Sequence, residues 1–163
     1  KFIRGILEGS NQETSTLRTE LDTLLLYADI ENMRLSNAIT ITKEVEEGID
    51  IDAYHLPAMV LQPFVENAIW HGLNKSKKPE KNIRLKVAKQ HNGLNIFIED
   101  NGLGYSNTRA AETKVFAKSY GLRIVREQLQ RFNAKHKHQI DFTITDKDGG
   151  GTRVVFTIID NPQ

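Results

Sequence analysis

Four segments of the chain alternate apolar and polar residues with a period of two. Their apolar positions are Ile83, Leu85 and Val87; Leu94, Ile96 and Ile98; Ile140, Phe142 and Ile144; and Val154, Phe156 and Ile158. This alternation is typical of strands that bury one side chain in two against a core. The pattern therefore predicts an antiparallel or mixed sheet with one face covered by helices.

Apolar residues at helical spacing predict helices over residues 14–35, 54–70 and 121–134, and a further strand is predicted over 38–45. Ser15 or Thr16 is suited to cap the first helix. The second helix contains Pro63, which is expected to kink or restart it. Smaller features predicted are an Asn92-Gly93 hairpin turn, a helix end at Gly72 and a mobile polar loop over 105–120.

The composition excludes several classes of protein. Lys and Arg number 22 against 21 Asp and Glu, so the chain lacks the concentrated basic excess that nucleic-acid binding usually requires. There is no cysteine, which excludes disulfides and thiolate metal sites. No apolar run reaches the length of a membrane span. His136 and His138 lack an evident third ligand, so we interpret them as surface residues.

Asp100 ends one of the alternating segments and is followed by Gly102 and Gly104. An ionised carboxylate only accepts hydrogen bonds, so it can bind the exocyclic amine of adenine, where guanine presents a carbonyl. The two glycines allow positive φ and a close approach of the backbone to a base. A plain Asn-Gly turn between strands is the structural alternative that this short motif leaves open.

Asn67 and His71 lie one helical turn apart near the end of the second predicted helix. The amide oxygen of an asparagine suits Mg²⁺, which prefers oxygen ligands and keeps several waters. The imidazole could contact a ribose, a base or a phosphate. Taken alone, the two residues are equally compatible with a helix-surface amide and a C-terminal cap.

Two glycine segments complete the candidate site. Gly121 is predicted at a helix N-terminus, where unpaired N–H groups and the helix dipole attract anions, with Leu122 directly after it. The segment 149–151 offers loose backbone ahead of the Thr152 hydroxyl, although a glycine-rich hairpin turn would look the same. The order of these four pieces along the chain predicts a pocket for a purine nucleotide.

The segment Leu61-Gln-Pro-Phe-Val-Glu-Asn-Ala68, followed by His71-Gly72, resembles the N-box of LytS-like (YehU/YpdA-like) sensor histidine kinases. The chain from 14 to 159 is similar to their ATP-binding catalytic domain, within the gyrase–Hsp90–histidine kinase–MutL superfamily. The fold that this resemblance implies is α+β, a two-layer α/β sandwich with a mixed, largely antiparallel sheet and an N-terminal helical appendage. Residues 1–36 would end the dimerisation and phosphoacceptor region, and 37–163 would form the ATP-binding domain.

The resemblance also implies roles for single residues. Asn67 would coordinate Mg²⁺ on the phosphates of ATP, and Asp100 would bind the adenine amine beside a turn that contains Gly102 and Gly104. Residues 105–120 would form an ATP lid, ahead of a second glycine segment at Gly121 and Leu122. Thr152 would complete the base end of the pocket, and His71 completes the set of cofactor-binding residues.

Four departures from the family pattern bear on function. Trp70 stands where the family often has lysine, so a phosphate contact is expected to be lost. Ser119 replaces a glycine of the second glycine segment, and Ile124 replaces an asparagine that often follows it. The upstream H-F-x-F-N phosphoacceptor motif is not present in these 163 residues, so no catalytic residue is assigned.

The leading function that follows is a protein-histidine kinase that binds Mg-ATP and donates the γ-phosphate to a histidine upstream of the sequence given. One alternative is a degenerate nucleotide-sensing or dimerisation module, suggested by Trp70 and Ser119. Another is a hydrolytic ATPase, although Pro63 occupies the position of that group's general-base glutamate. A response regulator, the upstream phosphoacceptor helix and a homodimeric parent are the expected partners, and the chain would be the cytoplasmic end of an inner-membrane sensor.

Overall fold

A computed structural model describes residues 13–36, 38–107 and 115–160, with the backbone alone for 115–120. Within these ranges the strands are β1 (Thr14–Thr16), β2 (Ile39–Val45), β3 (His55–Pro57), β4 (Lys81–Gln90), β5 (Gly93–Asp100), β6 (His138–Asp146) and β7 (Thr152–Asp160). The helices are α1 (Leu17–Arg34), α2 (Gln62–Asn67, continued by a π-helical turn, Ala68–Leu73) and α3 (Val115–Lys135). Among the described residues, no helix combines the length and the apolar character that a membrane span requires.

Five strands form the main sheet in the order β2-β4-β5-β7-β6. The pair β2–β4 is parallel, with Ile41 beside Ile83, and the other three pairs are antiparallel. The short strands β1 and β3 form a separate antiparallel ribbon. The predicted mixed, largely antiparallel sheet of an α+β fold is therefore confirmed.

One hydrophobic core lies between the helices and a single face of the sheet. The alternating apolar positions of β4, β5, β6 and β7 supply one side of it. Phe64 of α2 packs edge-on against both Phe142 and Phe156, with ring centroids 5.1 Å apart in each case. Val125 and Leu129 of α3 are buried in the same core.

Helix α1 belongs to the same core. Thr16 caps it by accepting a hydrogen bond from the Thr19 amide, as one of the two predicted caps. Its inner face buries apolar side chains almost completely: Leu17, Leu21, Leu24 and Ala28. The division of the chain between residues 36 and 37 stays a prediction, although the hydrophobic core is continuous across that point.

The predicted helix over 54–70 begins later than expected. Residues 55–57 form β3 because the position before Pro57 disfavours helical backbone and because β1 offers a strand partner. Helix α2 then starts at Gln62, where proline is tolerated in the first turn. The helix does not end at Gly72 but runs one residue further through the π-helical turn.

Helix α3 begins at Val115, six residues before the predicted start at Gly121. The segment 115–120 contains neither proline nor glycine, and an internal glycine costs a helix only about 1 kcal/mol. The predicted loop over 105–120 is thus helical over its last six residues. Residues 108–114 lie outside the described residues.

The hairpin between β4 and β5 turns at His91 and Asn92, one residue earlier than predicted. Gly93 is already the first residue of β5, with a φ of +139°. A Cβ atom at this position would lie 2.0 Å from the Ile158 carbonyl oxygen. Gly93 is therefore required by close packing against β7.

We expect Gly93→Ala to lower the free energy of unfolding by about 2–4 kcal/mol, because it combines an unfavourable φ with a clash against backbone. Gly149→Ala is the matched control: its φ is +81°, yet a Cβ there meets nothing within 4 Å. The control should cost only about 1 kcal/mol. Urea unfolding of both variants measures the difference, and equal losses would contradict the packing explanation.

Candidate functional site

A pocket opens at the edge of the sheet where β5 ends and β7 begins. It encloses about 480 Å³ of space when the open mouth is counted. The lining residues come from α2, the strand ends, the loop after β5 and α3: Phe64, Asn67, Ala68, Gly72, Ile98, Asp100, Tyr105, Leu122, Ile144, Thr152 and Val154. An apolar wall with a few polar groups is typical of a site for a flat, partly polar ligand.

Asp100 is the buried acid of this pocket, with 4% of its surface exposed. Its Oδ1 atom accepts hydrogen bonds from the Gly102 amide at 2.8 Å and from the Thr152 amide at 3.4 Å. The Thr152 hydroxyl also donates to the carboxylate. These bonds fix the side chain against the end of the sheet, with its carboxylate lining the pocket.

Burial raises the pKa of the Asp100 carboxyl above its ordinary value. The backbone hydrogen bonds from Gly102 and Thr152, and the nearby charge of Lys147, act in the opposite direction. The cost of burying this charge indicates that the acid is kept for a purpose other than stability.

Two glycines near Asp100 allow neighbouring backbone segments to approach each other very closely. A Cβ atom on Gly102 would lie 2.4 Å from the Gly72 carbonyl carbon, and one on Gly151 would lie 2.1 Å from the Asp100 carbonyl oxygen. Gly104 has the predicted positive φ, +90°, whereas Gly102 does not. Gly102 is thus needed for contact with the end of α2.

Asn67 lines the pocket from α2, across from Asp100. The sequence-based hypothesis requires these two side chains to share one cavity, and they do. His71 lies one turn further along, on the π-helical turn, and is not among the lining residues. The role predicted for His71 stays a prediction.

Leu122 lines the pocket from α3, but Gly121 does not. Gly121 lies inside α3, so its backbone N–H group is not at the helix N-terminus where the anion site was predicted. That part of the prediction is wrong for the conformation described. A Cβ atom at Gly121 would meet nothing within 4 Å, so packing does not explain this glycine.

Several pocket residues were missed by the sequence analysis. Ile98, Val154 and Ile144 are neighbours across β5, β7 and β6 and form a continuous apolar row in the pocket. Their inward parity had been recognised, but only as a core signal. Their position was the available clue, because each lies two residues from a strand end. Ile98 precedes Asp100, Val154 follows Thr152, and Val154 pairs with both Ile98 and Ile144.

Tyr105 was also missed, and Asp146 bonds to the backbone at this residue. The Asp146 carboxylate accepts hydrogen bonds from the amide and hydroxyl of Ser106 and from the Tyr105 amide. The Ser106 hydroxyl bond is the main reason that the pKa of Asp146 is lowered. The end of β6 therefore anchors the start of the segment that follows Gly104.

Trp70 does not contact the pocket. It packs half-buried against the core, and its indole N–H donates to the Tyr27 hydroxyl of α1. Trp70, which stands where the family often has lysine, therefore connects its own helical segment to α1.

No cluster of three or more His, Cys, Asp or Glu side chains suited to a metal occurs in the described part of the chain. His136 stacks on Phe132 at 4.0 Å, and His138 contacts Asp160 at 2.7 Å, so the two histidines are engaged separately.

A comparison with protein families matches residues 51–162 to the family described as "Histidine kinase-, DNA gyrase B-, and HSP90-like ATPase". The chain is 34% identical over 110 residues to Sensor protein LytS of Enterococcus faecalis, covering 67% of this chain and 18% of that protein. It is 33% identical over 131 residues to Sensor protein kinase HptS of Staphylococcus aureus, covering 78% of this chain and 22% of that protein.

The fold is similar to the catalytic domain of histidine kinase ThkA in a nucleotide-free form. That match has a TM-score of 0.59 at 12% identity and covers 92% of this chain and 97% of the other. A histidine kinase domain from Erythrobacter litoralis gives 0.54 at 18% identity, covering 93% and 69%. At such low identity these matches establish the fold alone.

We expect the stability of the unliganded protein to depend on pH through Asp100. An acid whose folded pKa is raised stabilises the fold below its unfolded pKa of about 3.9, and this contribution is lost as pH rises through the folded pKa. Wild type should therefore gain free energy of unfolding relative to Asp100→Asn as pH is lowered from neutrality. Urea unfolding across that range tests this, and a constant or opposite difference would contradict it.

Proposed function

Because the chain belongs to the family of histidine kinase-, DNA gyrase B- and HSP90-like ATPases, we propose that it is the catalytic domain of a two-component sensor histidine kinase. It binds Mg-ATP and donates the γ-phosphate to a histidine upstream of the sequence given. The observation that carries this proposal is that Asp100 and Asn67 line one pocket between α2 and the sheet.

Asp100 supplies recognition of the base. Its Oδ1 atom accepts from the Gly102 and Thr152 amides, and the carboxylate has further lone pairs with which to accept from the exocyclic amine of adenine. The apolar row formed by Ile98, Val154 and Ile144 offers a flat surface for the purine ring. Guanine would present a carbonyl oxygen to the carboxylate, which is repulsive.

Asn67 suits a magnesium ion that is held mainly by phosphates. Mg²⁺ takes oxygen ligands, keeps several waters and is usually bound through few protein groups plus substrate phosphates. The partly exposed amide of Asn67 fits this description, and it needs no acidic cluster beside it. When bound, the ion would neutralise the charge that develops on the transferred phosphoryl group.

Transfer to a histidine is favoured over hydrolysis. In the hydrolytic ATPases that the chain resembles, the general base for water lies one turn before the metal-binding asparagine, and here that position holds Pro63, which has no proton-accepting side chain. Glu66 is not a pocket residue: it accepts from Gln62 at 2.9 Å and lies near Tyr27. The domain would then contribute only the positioning of ATP and the neutralisation of phosphate charge, which suffice for phosphoryl transfer to a supplied acceptor.

The partners follow from the same proposal. The chain spans 18% and 22% of the two sensor proteins it matches, so it corresponds to one part of a longer protein. That protein would contribute the phosphoacceptor helix, form a homodimer and pass the phosphoryl group to a response regulator. We place this domain at the cytoplasmic end of a membrane-anchored sensor.

We expect Asn67→Ala to lower the affinity for ATP in the presence of Mg²⁺ by about tenfold or more, because one ligand of the ion is lost. Affinity for ATP in EDTA should be unchanged, since the base contacts through Asp100 remain. Isothermal titration calorimetry under the two conditions measures both values. Equal losses with and without the metal would contradict a role for Asn67 in metal binding.

Phosphotransfer provides the decisive experiment on function. The chain is mixed with a separately produced helical segment that carries the phosphoacceptor histidine of a LytS-type kinase, and radiolabelled Mg-ATP is added. Label is expected on the histidine with the wild-type chain and should be strongly reduced with Asn67→Ala. Nucleotide binding without transfer would favour a sensing module, and release of inorganic phosphate without any acceptor would favour a hydrolytic ATPase.

A further inference from the structure

Helix α1 holds the first end of α2 through a buried carboxylate. Glu20 is 6% exposed, and its Oε1 atom accepts a hydrogen bond from the Met59 amide at 2.8 Å. The Leu61 amide and the Ser15 hydroxyl donate to the same carboxylate. Leu61 is the N-cap residue of α2 and offers no side-chain cap of its own. Glu20 therefore satisfies amides that the start of α2 leaves unpaired.

The other end of α2 is held by Tyr27, two turns further along α1. Its hydroxyl accepts the hydrogen bond from the Trp70 indole, a group that can only donate. Burial, together with the neighbouring carboxylates of Glu66 and Glu31, raises the pKa of the Tyr27 hydroxyl far above its ordinary value.

The residues held by α1 and the residues that line the pocket lie on one continuous helical segment. Asn67, Ala68 and Gly72 contact the pocket, while Trp70 between them contacts α1. Gly72 also contacts the loop after β5, since its carbonyl oxygen accepts a hydrogen bond from the Leu103 amide at 3.3 Å. A displacement of Trp70 would therefore move Asn67 on one side and the Asp100 loop on the other.

We propose that Glu20 and Tyr27 are positioning residues of the nucleotide site, which hold α2 so that Asn67 faces the metal-bound phosphates. This inference rests on the function proposed above and deepens it. It assigns α1 a role in Mg-ATP affinity, and it gives Trp70 a function in place of the phosphate contact expected of the family lysine. By linkage, Mg-ATP binding and the placement of α1 influence each other equally.

The test is Tyr27→Phe, which removes one hydroxyl and keeps the ring. In the 163-residue chain we expect Mg-ATP affinity to fall about three- to tenfold, with ATP affinity in EDTA unchanged. The matched control is Tyr54→Phe, which also loses a single hydroxyl hydrogen bond, to Asp160 at the opposite end of β7 from Thr152. The control should leave both affinities as in wild type.

A double-mutant cycle with Asn67→Ala separates positioning from general destabilisation. If Tyr27 acts through Asn67, the two substitutions together should cost little more than Asn67→Ala alone. Trp70→Phe, which keeps an aromatic ring but removes the donor, should reproduce the effect of Tyr27→Phe and serves if that variant folds poorly.

The outcomes distinguish this inference from the proposed function. Wild type that binds Mg-ATP, with Tyr27→Phe and Trp70→Phe both behaving like Tyr54→Phe, overturns the positioning role and leaves the kinase proposal intact. Strictly additive losses in the cycle also overturn it, since Tyr27 would then act independently of Asn67. If wild type does not bind Mg-ATP, the proposed function fails, and the positioning role fails with it.

Discussion

Asp100 carries a carboxylate into the interior where a strand end, a helix end and a glycine turn meet. Gly102 and Thr152 donate backbone hydrogen bonds to one of its oxygens, and the absence of a side chain at Gly102 and Gly151 lets neighbouring backbone segments approach closely. None of these contacts tolerates a larger residue or a shifted strand without cost. The pocket is thus fixed by the packing around one buried charge, whose burial the fold accepts for the sake of what the charge can bind.

The sequence predicted the sheet well because its signal is local. Alternation at Ile83 to Val87 and at Val154 to Ile158 reports directly on which face of each strand is buried. The predictions failed where distant partners decide the structure. Residues 55–57 became a strand because β1 pairs with them, and no local pattern reveals that partner.

The candidate site shows the same division. Asn67, Asp100, Leu122 and Thr152 were predicted from motifs and lie together in the pocket. Tyr105 and the apolar row of Ile98, Val154 and Ile144 were missed, because an inward-facing residue near a strand end has the same sequence pattern whether it meets core or ligand. Trp70 was identified as a departure, but its partner Tyr27 lies 43 residues away in sequence (70 minus 27) and is revealed only by the fold.

Because α1 is part of the hydrophobic core, the packed domain and the family match begin at different residues. The family match starts at residue 51, whereas the buried interior already includes Leu17. A shortened protein that keeps only residues 51–162 would expose the apolar surface that Leu17, Leu21 and Leu24 cover, and would leave α2 without Glu20. The region that matches the family model is therefore smaller than the region that packs into one hydrophobic core.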